Sequence, residues 1–147
     1  MDKKIKSKTG SKDWLYADLT ATILNAAREV HIRFTCLAYS EENYREALAR
    51  ELRARDQTVQ TQVRRPRVYK SNAVGESVAD LVVDDKVVIL IKTTRQIARE
   101  HLDLLRTYLH DGGWRVGLVI AFSRNDFTFR RLDEPVPSPF NHLSGKE

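Results

Sequence analysis

A single cysteine, Cys36, occurs in the 147 residues. One thiol excludes an intramolecular disulfide framework and any zinc centre built on cysteines. Long apolar runs are missing as well. Nothing approaches the ~18 consecutive apolar residues of a membrane span, and the opening MDKKIKSKTGSK has no apolar segment of the secretory kind. These absences point to no membrane partner and to a cytoplasmic location. There is also no internal repeat, no glycine-rich phosphate loop and no zinc-ligand spacing.

What is present is an ordinary globular profile, with 41% hydrophobic and 31% charged residues. The length suits one domain with a substantial core. The net charge of +5 is unevenly placed, because residues 1–12 hold five lysines and one aspartate and so carry +4 of it. The body is nearly neutral. A basic pI near 9.5 therefore describes the start of the chain and does not make the domain a basic platform. Residues 1–13 read as a basic disordered tail, 14–132 as the domain, and 133–147, with three prolines, as a second disordered tail.

Within the domain, Leu19, Ile23, Ala26, Ala27, Val30 and Phe34 recur at helical spacing. Ser40 caps a second helix whose first turn holds Glu41 and Glu42, favourable against the helix dipole. Tyr44, Ala47, Leu48 and Leu52 form its apolar face; Arg45, Glu46, Arg50, Glu51, Arg53 and Arg55 are expected to solvate the other. Residues 58–64 alternate as a strand, Pro66 interrupts, and 67–69 read as a separate edge strand. A turn is expected over 70–75. The runs SVADLVV and KVVILIK make a hairpin over 77–94 with Asp84-Asp85 as a two-residue loop. A third helix follows over 95–110, ended by Gly112-Gly113. WRVGLVIAF is a strand buried on both faces, and 127–132 a last strand. The expected order is α-α-β-β-β-β-α-β-β, an α/β fold with a mixed sheet flanked by helices. The strand-helix-strand crossover makes the strands at 86–92 and 114–122 parallel.

Lys92 closes a nearly all-apolar strand. A lysine there is costly to bury without an anion close by, and Asp80 on the partner strand is the candidate.

Several segments in this order, LTATILNAAREVH, the ExxYxxAL run from Glu41, GESVADLVVDDKVVILIK, HLDLLRTYL and RVGLVIAF, resemble the PD-(D/E)XK nuclease superfamily, and within it the bacterial GxxExxY family. The resemblance covers about residues 19–132 and implies a restriction-endonuclease-like fold. Metal-assisted phosphodiester hydrolysis needs two or more carboxylates to hold a hard divalent cation and a lysine near the attacking water. Carried onto this chain, Asp80 matches the first carboxylate, Lys92 the lysine and Glu41 the helical glutamate, with Tyr44 completing ExxY. Asp80 and Glu41 would be the metal ligands, with Mg²⁺ as cofactor if the domain is active and none otherwise.

The same pattern asks for a second carboxylate at Leu90, a supporting glutamine at Leu104, a glycine at Ala38 and an asparagine at Ala121. The departures gather on the expected site and spare the apolar framework. The resemblance therefore implies a nuclease-like domain with an eroded active site, catalytically weak or inactive. The alternative is a working Mg²⁺-dependent DNA or RNA nuclease whose second carboxylate has migrated. Glu100 shares a helical face with Leu104; Glu76, ~13 Å along the strand from Asp80 at ~3.3 Å per residue, is too far.

Other residues invite a functional reading. Arg64, Arg65, Arg67 and Lys70 surround Tyr69 in a basic run suited to nucleic-acid phosphates, and Arg124, Arg130 and Arg131 form another. His31 and His101 read as hydrogen-bonded residues on apolar faces. Nucleic acid and a protein partner both remain open, the latter making the domain an interaction module. Oligomeric state is not legible.

Overall fold

The computed structural model describes residues 14–134; of the expected tails, residues 1–13 and 135–147 lie outside the described residues. The elements run α1 (Ala17–Phe34), α2 (Glu41–Ala54), β1 (Val59–Tyr69), β2 (Asn72–Val83), β3 (Val87–Lys92), α3 (Arg99–Gly112), β4 (Val116–Phe122) and β5 (Phe127–Asp133). They form a mixed α/β structure with a five-stranded sheet in the order β1-β2-β3-β4-β5. All pairings are antiparallel except β3 with β4, which are parallel across the α3 crossover.

The expected strands at 58–64 and 67–69 are one strand, so the sheet has one strand fewer than the alternation suggests. Pro66 sits inside β1 opposite Glu76. β1 is an edge strand, and there a missing N–H on the solvent side leaves no ladder bond unmade. The turn is also tighter than expected. Only Lys70 and Ser71 separate β1 from β2, both with positive φ (49° and 69°), as a primed hairpin turn requires. The next loop is longer by one residue: Asp84, Asp85 and Lys86 join Val83 to its partner Val87, with Asp84 and Asp85 at φ 54° and 57°. β5 extends through Asp133, which pairs with Val116.

Helix α2 starts as its sequence dictates. The Ser40 side chain accepts from the Asn43 N–H at 3.1 Å, and Asn43 Oδ1 accepts from the Ser40 N–H at 3.0 Å, a closed capping box. α1 does without one; Tyr16 precedes it in the left-handed region. α3 begins at Arg99, where His101 Nδ1 accepts the Ala98 N–H at 3.0 Å. His101 is thus a capping residue. It ends at Gly113, whose φ of 76° suits a left-handed helix terminus.

The two faces of the sheet carry separate cores. α1 and α2 pack on Leu81, Val83, Val87, Ile89, Ile91, Leu118, Ile120 and Phe122. α3, through Leu105 and Leu109, packs with Ala79, Val82, Val88, Leu90, Val119 and Trp114. Alternation along β3 splits cleanly between them, and every residue of β4 is buried, as a central strand between two helical layers requires. Among the described residues no helix is long and apolar enough to cross a membrane.

α3 approaches β4 closely at Gly117, where an added Cβ would lie 2.8 Å from Leu105 Cδ1. Leu105 is fully buried and has no room to yield. Gly117→Ala is therefore expected to cost ~1–3 kcal/mol by overpacking, read as a lower urea midpoint at unchanged slope.

Candidate functional site around Asp80

The β2–β3 ladder is short, its pairs running only from Val83↔Val87 to Leu81↔Ile89. Beyond it the strands part. Asp80 sits at the parting, and its Oδ2 accepts the Ile91 N–H at 2.7 Å. A side chain thus satisfies a backbone donor that the ladder no longer reaches. The alternation of β2 slips here too: Ala79 belongs to the α3-side core and Leu81 to the α1/α2-side core. Facing it on β1, Gln62 has a positive φ of 49°.

The other carboxylate oxygen of Asp80 lies 3.6 Å from Arg45 Nη1, and both side chains are about four-fifths buried. Burial raises the Asp80 carboxyl above its ordinary range. The Ile91 N–H, Arg45 and, more weakly, Lys92 pull it down, while Glu41 pushes it up. Asp80, Glu41 and Lys92 thus share one electrostatic neighbourhood. The cation in direct contact with Asp80, however, is Arg45. Sequence reasoning gave Arg45 to the solvated face of α2, and that is corrected here. The signal was available: Arg45 lies one helical turn after Glu41, so a face that presents Glu41 to the sheet presents Arg45 with it.

Leu90 is 3% exposed and belongs to the α3-side core. Leu104 packs at the margin of the same cluster. Glu100 is exposed in the first turn of α3, and Glu76 is exposed and paired with Arg64. Among the described residues no three or more histidine, cysteine, aspartate or glutamate side chains gather where they could hold a metal ion. Mg²⁺ demands near-octahedral oxygen coordination. One oxygen of Asp80 is committed to a backbone N–H, the other faces a guanidinium, and Leu90 contributes none. The residues present do not fit such an ion.

The basic run does not form one stripe, because successive side chains of a strand face opposite ways. Arg65 lies over the Trp114 ring at 4.8 Å. Arg67 bonds Asp111 at 3.0 Å and the Ser77 hydroxyl at 2.8 Å, and Ser77 in turn donates to Asp111 at 2.6 Å. Arg64 pairs with Glu76, and Lys70 stands over Tyr69 at 5.4 Å. In the second run, Arg131 is buried, donating to Asp133 at 2.6 Å and to the Leu15 carbonyl at 2.6 Å, with Trp14 over it at 4.8 Å. Arg131 is a structural cation. Arg124 and Arg130 remain exposed. His31 is buried against Phe127, 5.8 Å between rings, but its Nδ1 has no hydrogen-bond partner, contrary to the expectation of a bonded histidine.

The match to a family model for the PD-(D/E)XK nuclease superfamily spans residues 17–132, from the start of α1 into β5. The chain belongs to that superfamily. Among solved structures it is similar to the protein SSO0001, with 18% identity and a TM-score of 0.46, the match covering 75% of this chain and 66% of that one. It is also similar to an alkaline exonuclease from Laribacter hongkongensis, with 15% identity, a TM-score of 0.44, and 75% and 76% covered. The same exonuclease in complex with dAMP gives 16% identity and a TM-score of 0.44, again over 75% and 76%. No curated protein matches the chain.

The Arg67–Ser77–Asp111 network has a pH signature. Burial pushes the Asp111 carboxyl up, but the bonds from Ser77, Arg67 and His110 outweigh it and leave the group below its usual value. Its contribution to stability is complete above the unfolded carboxylate value of ~3.9 and disappears as pH falls through the lower folded value. Asp111→Asn is expected to cost ~1–3 kcal/mol at neutral pH. The gap to the wild-type melting curve should close on acidification below pH ~4.

Proposed function

We propose that this domain is a nuclease-like module whose metal chemistry has been lost and which binds nucleic acid without hydrolysing it efficiently. Within the superfamily we assign it to the GxxExxY group, on the Glu41–Tyr44 motif and the hairpin that carries Asp80 and Lys92. The observation that carries the reading is the direct approach of Arg45 to Asp80 at 3.6 Å, beside a buried Leu90 where the family pattern asks for a carboxylate. A guanidinium supplies the positive charge that a divalent ion would otherwise bring to Asp80, but it has no bound water to activate. Glu41 and Lys92 add one charge of each sign to the surroundings of Asp80.

Nucleic-acid binding draws support from the distal part of the β1–β2 hairpin. β3 does not pair with residues 72–80; Arg67, Ser77 and Ala79 still anchor the hairpin on α3, and beyond them it projects as a short two-stranded arm. Its end exposes Val68, Tyr69 and Val74 beside Lys70, with Arg64 farther down the arm. An aromatic interleaved with cations suits a phosphate backbone and its bases.

Two measurements test this reading. Calorimetric titration with Mg²⁺ and Mn²⁺ is expected to give no binding heat, and plasmid, linear and single-stranded DNA should stay intact in the same preparation. Metal-dependent cutting that disappears in Asp80→Ala would overturn the loss of chemistry. The combined variant Arg45→Met, Leu90→Glu and Leu104→Gln should be less stable than wild type and should regain thermal stability in Mn²⁺, which wild type will not. For the arm, Arg64→Ala with Lys70→Ala is expected to weaken duplex binding and lower the slope of log affinity against log salt by ~2. Arg67→Ala would confound such a test by breaking the Ser77–Asp111 network. Unchanged affinity and slope in the double variant would exclude the arm.

A further inference from the structure

A cavity of about 320 Å³ has Cys36, Tyr39, Tyr44, Thr93, Ser123 and Arg124 in its lining. Three loops or helix starts converge on it: the α1–α2 loop, the residue after β3 and the β4–β5 loop. It therefore lies at the carboxyl ends of the two parallel strands, where open α/β sheets place their ligands. Thr93 directly follows Lys92, and Tyr44 directly precedes Arg45, so the lining adjoins two residues of the Asp80 surroundings along the chain.

The walls are held in place by specific contacts. The Cys36 N–H donates to the Arg124 carbonyl at 3.3 Å, tying the α1–α2 loop to the β4–β5 loop. Cys36 takes a left-handed φ of 66° to do so. Tyr44 is stacked on Phe122 with ring centroids 4.3 Å apart, closing the floor. Tyr39 packs edge-on against Phe34 at 4.6 Å yet stays 43% exposed. The lining contains hydroxyls from two tyrosines, Thr93 and Ser123, one cation at Arg124, and no carboxylate.

We propose that this cavity holds one unpaired nucleotide of a single-stranded nucleic acid, with the base against Tyr39 and a phosphate at Arg124. A volume at the lower end of the ~300–1,000 Å³ typical of ligand sites is too large for a phosphate alone and suits a base with its sugar. Every base offers a π-face to an exposed tyrosine, so the site is tolerant of sequence. The absence of any carboxylate favours an anion, and the hydroxyls supply donors and acceptors for sugar and base edges. A base stacked and paired within a duplex cannot reach the tyrosine without leaving its partner. The inference deepens the nucleic-acid reading above by specifying the strand state, and it uses residues distinct from the arm.

The test titrates full-length protein into a fluorescent single-stranded oligonucleotide containing 2-aminopurine and, separately, into the matching duplex, with free AMP as competitor. Single-strand binding should quench the probe. Tyr39→Ala should weaken it about 5- to 150-fold, the range of one lost base–aromatic stack, whereas Tyr39→Phe should retain it. Arg124→Ala should weaken single-strand binding and lower its salt slope by ~0.7. Duplex affinity should be unchanged in all three variants, and thermal melting confirms that each is folded. If Arg64→Ala with Lys70→Ala abolishes duplex binding while quenching persists and still depends on Tyr39, the cavity stands independently of the arm. Quenching that survives Tyr39→Ala overturns the proposal. So does an equal loss for duplex and single strand, or binding of AMP with none of the strand.

Discussion

The structure depends on how two strands separate. β2 and β3 hydrogen-bond over three residue pairs and then diverge, and the backbone donor stranded by that divergence is taken up by a carboxylate. An unsatisfied buried N–H would cost ~1–3 kcal/mol, so Asp80 is worth its own burial only while that bond and its cations are in place. Several features accompany this one junction: the slipped alternation of β2, the left-handed Gln62 opposite, and the approach of Arg45 from α2. A residue type needed for phosphodiester chemistry is also the residue type that best ends a ladder from the side. Loss of one role would not release the position from the other.

Most of the framework was legible because its signals were strong and redundant. The stripes of α1 and α2, the capping serine at Ser40 and the continuous apolar run of β4 each allowed a single reading. The errors arose where one residue type serves two structural purposes. Pro66 breaks a central strand but not an edge strand, and edge status is a tertiary fact. Asp84 and Asp85 looked sufficient for a two-residue loop, but the register at Val83↔Val87 includes Lys86. In the candidate site, hairpin geometry suggests Asp80 beside Lys92, and only the family pattern adds Glu41. Arg45 was missed because a charged residue beside an apolar stripe was assumed to face water.

Several arginines of the nearly neutral body are committed to partners within it. Arg67 serves Ser77 and Asp111, Arg131 serves Asp133 and the Leu15 carbonyl, and Arg45 serves Asp80. A planar guanidinium can hold two such partners at once in a fixed geometry, which an ammonium does not match. These side chains fasten elements distant in sequence: β1 to α3, β5 to the approach to α1, and α2 to β2. A count of basic residues therefore overstates the surface offered to a polyanion, and the sites with cations to spare are few and local.

The order of the sheet has a bearing on how the chain folds. Because the strands lie side by side in the order in which they are made, each new strand joins the last and only the α3 crossover interrupts the series. Such a sheet grows outward from the β1–β2 hairpin by short loop closures, which favours rapid assembly. The first two helices do not share that advantage. Tyr44 finds its stacking partner in Phe122, 78 residues later, so the apolar face of α1 and α2 is only partly covered by β2 and β3 until β4 is in place. During synthesis that face would be the longest-lived sticky surface of the molecule, shielded by the charged residues that line the rest of both helices.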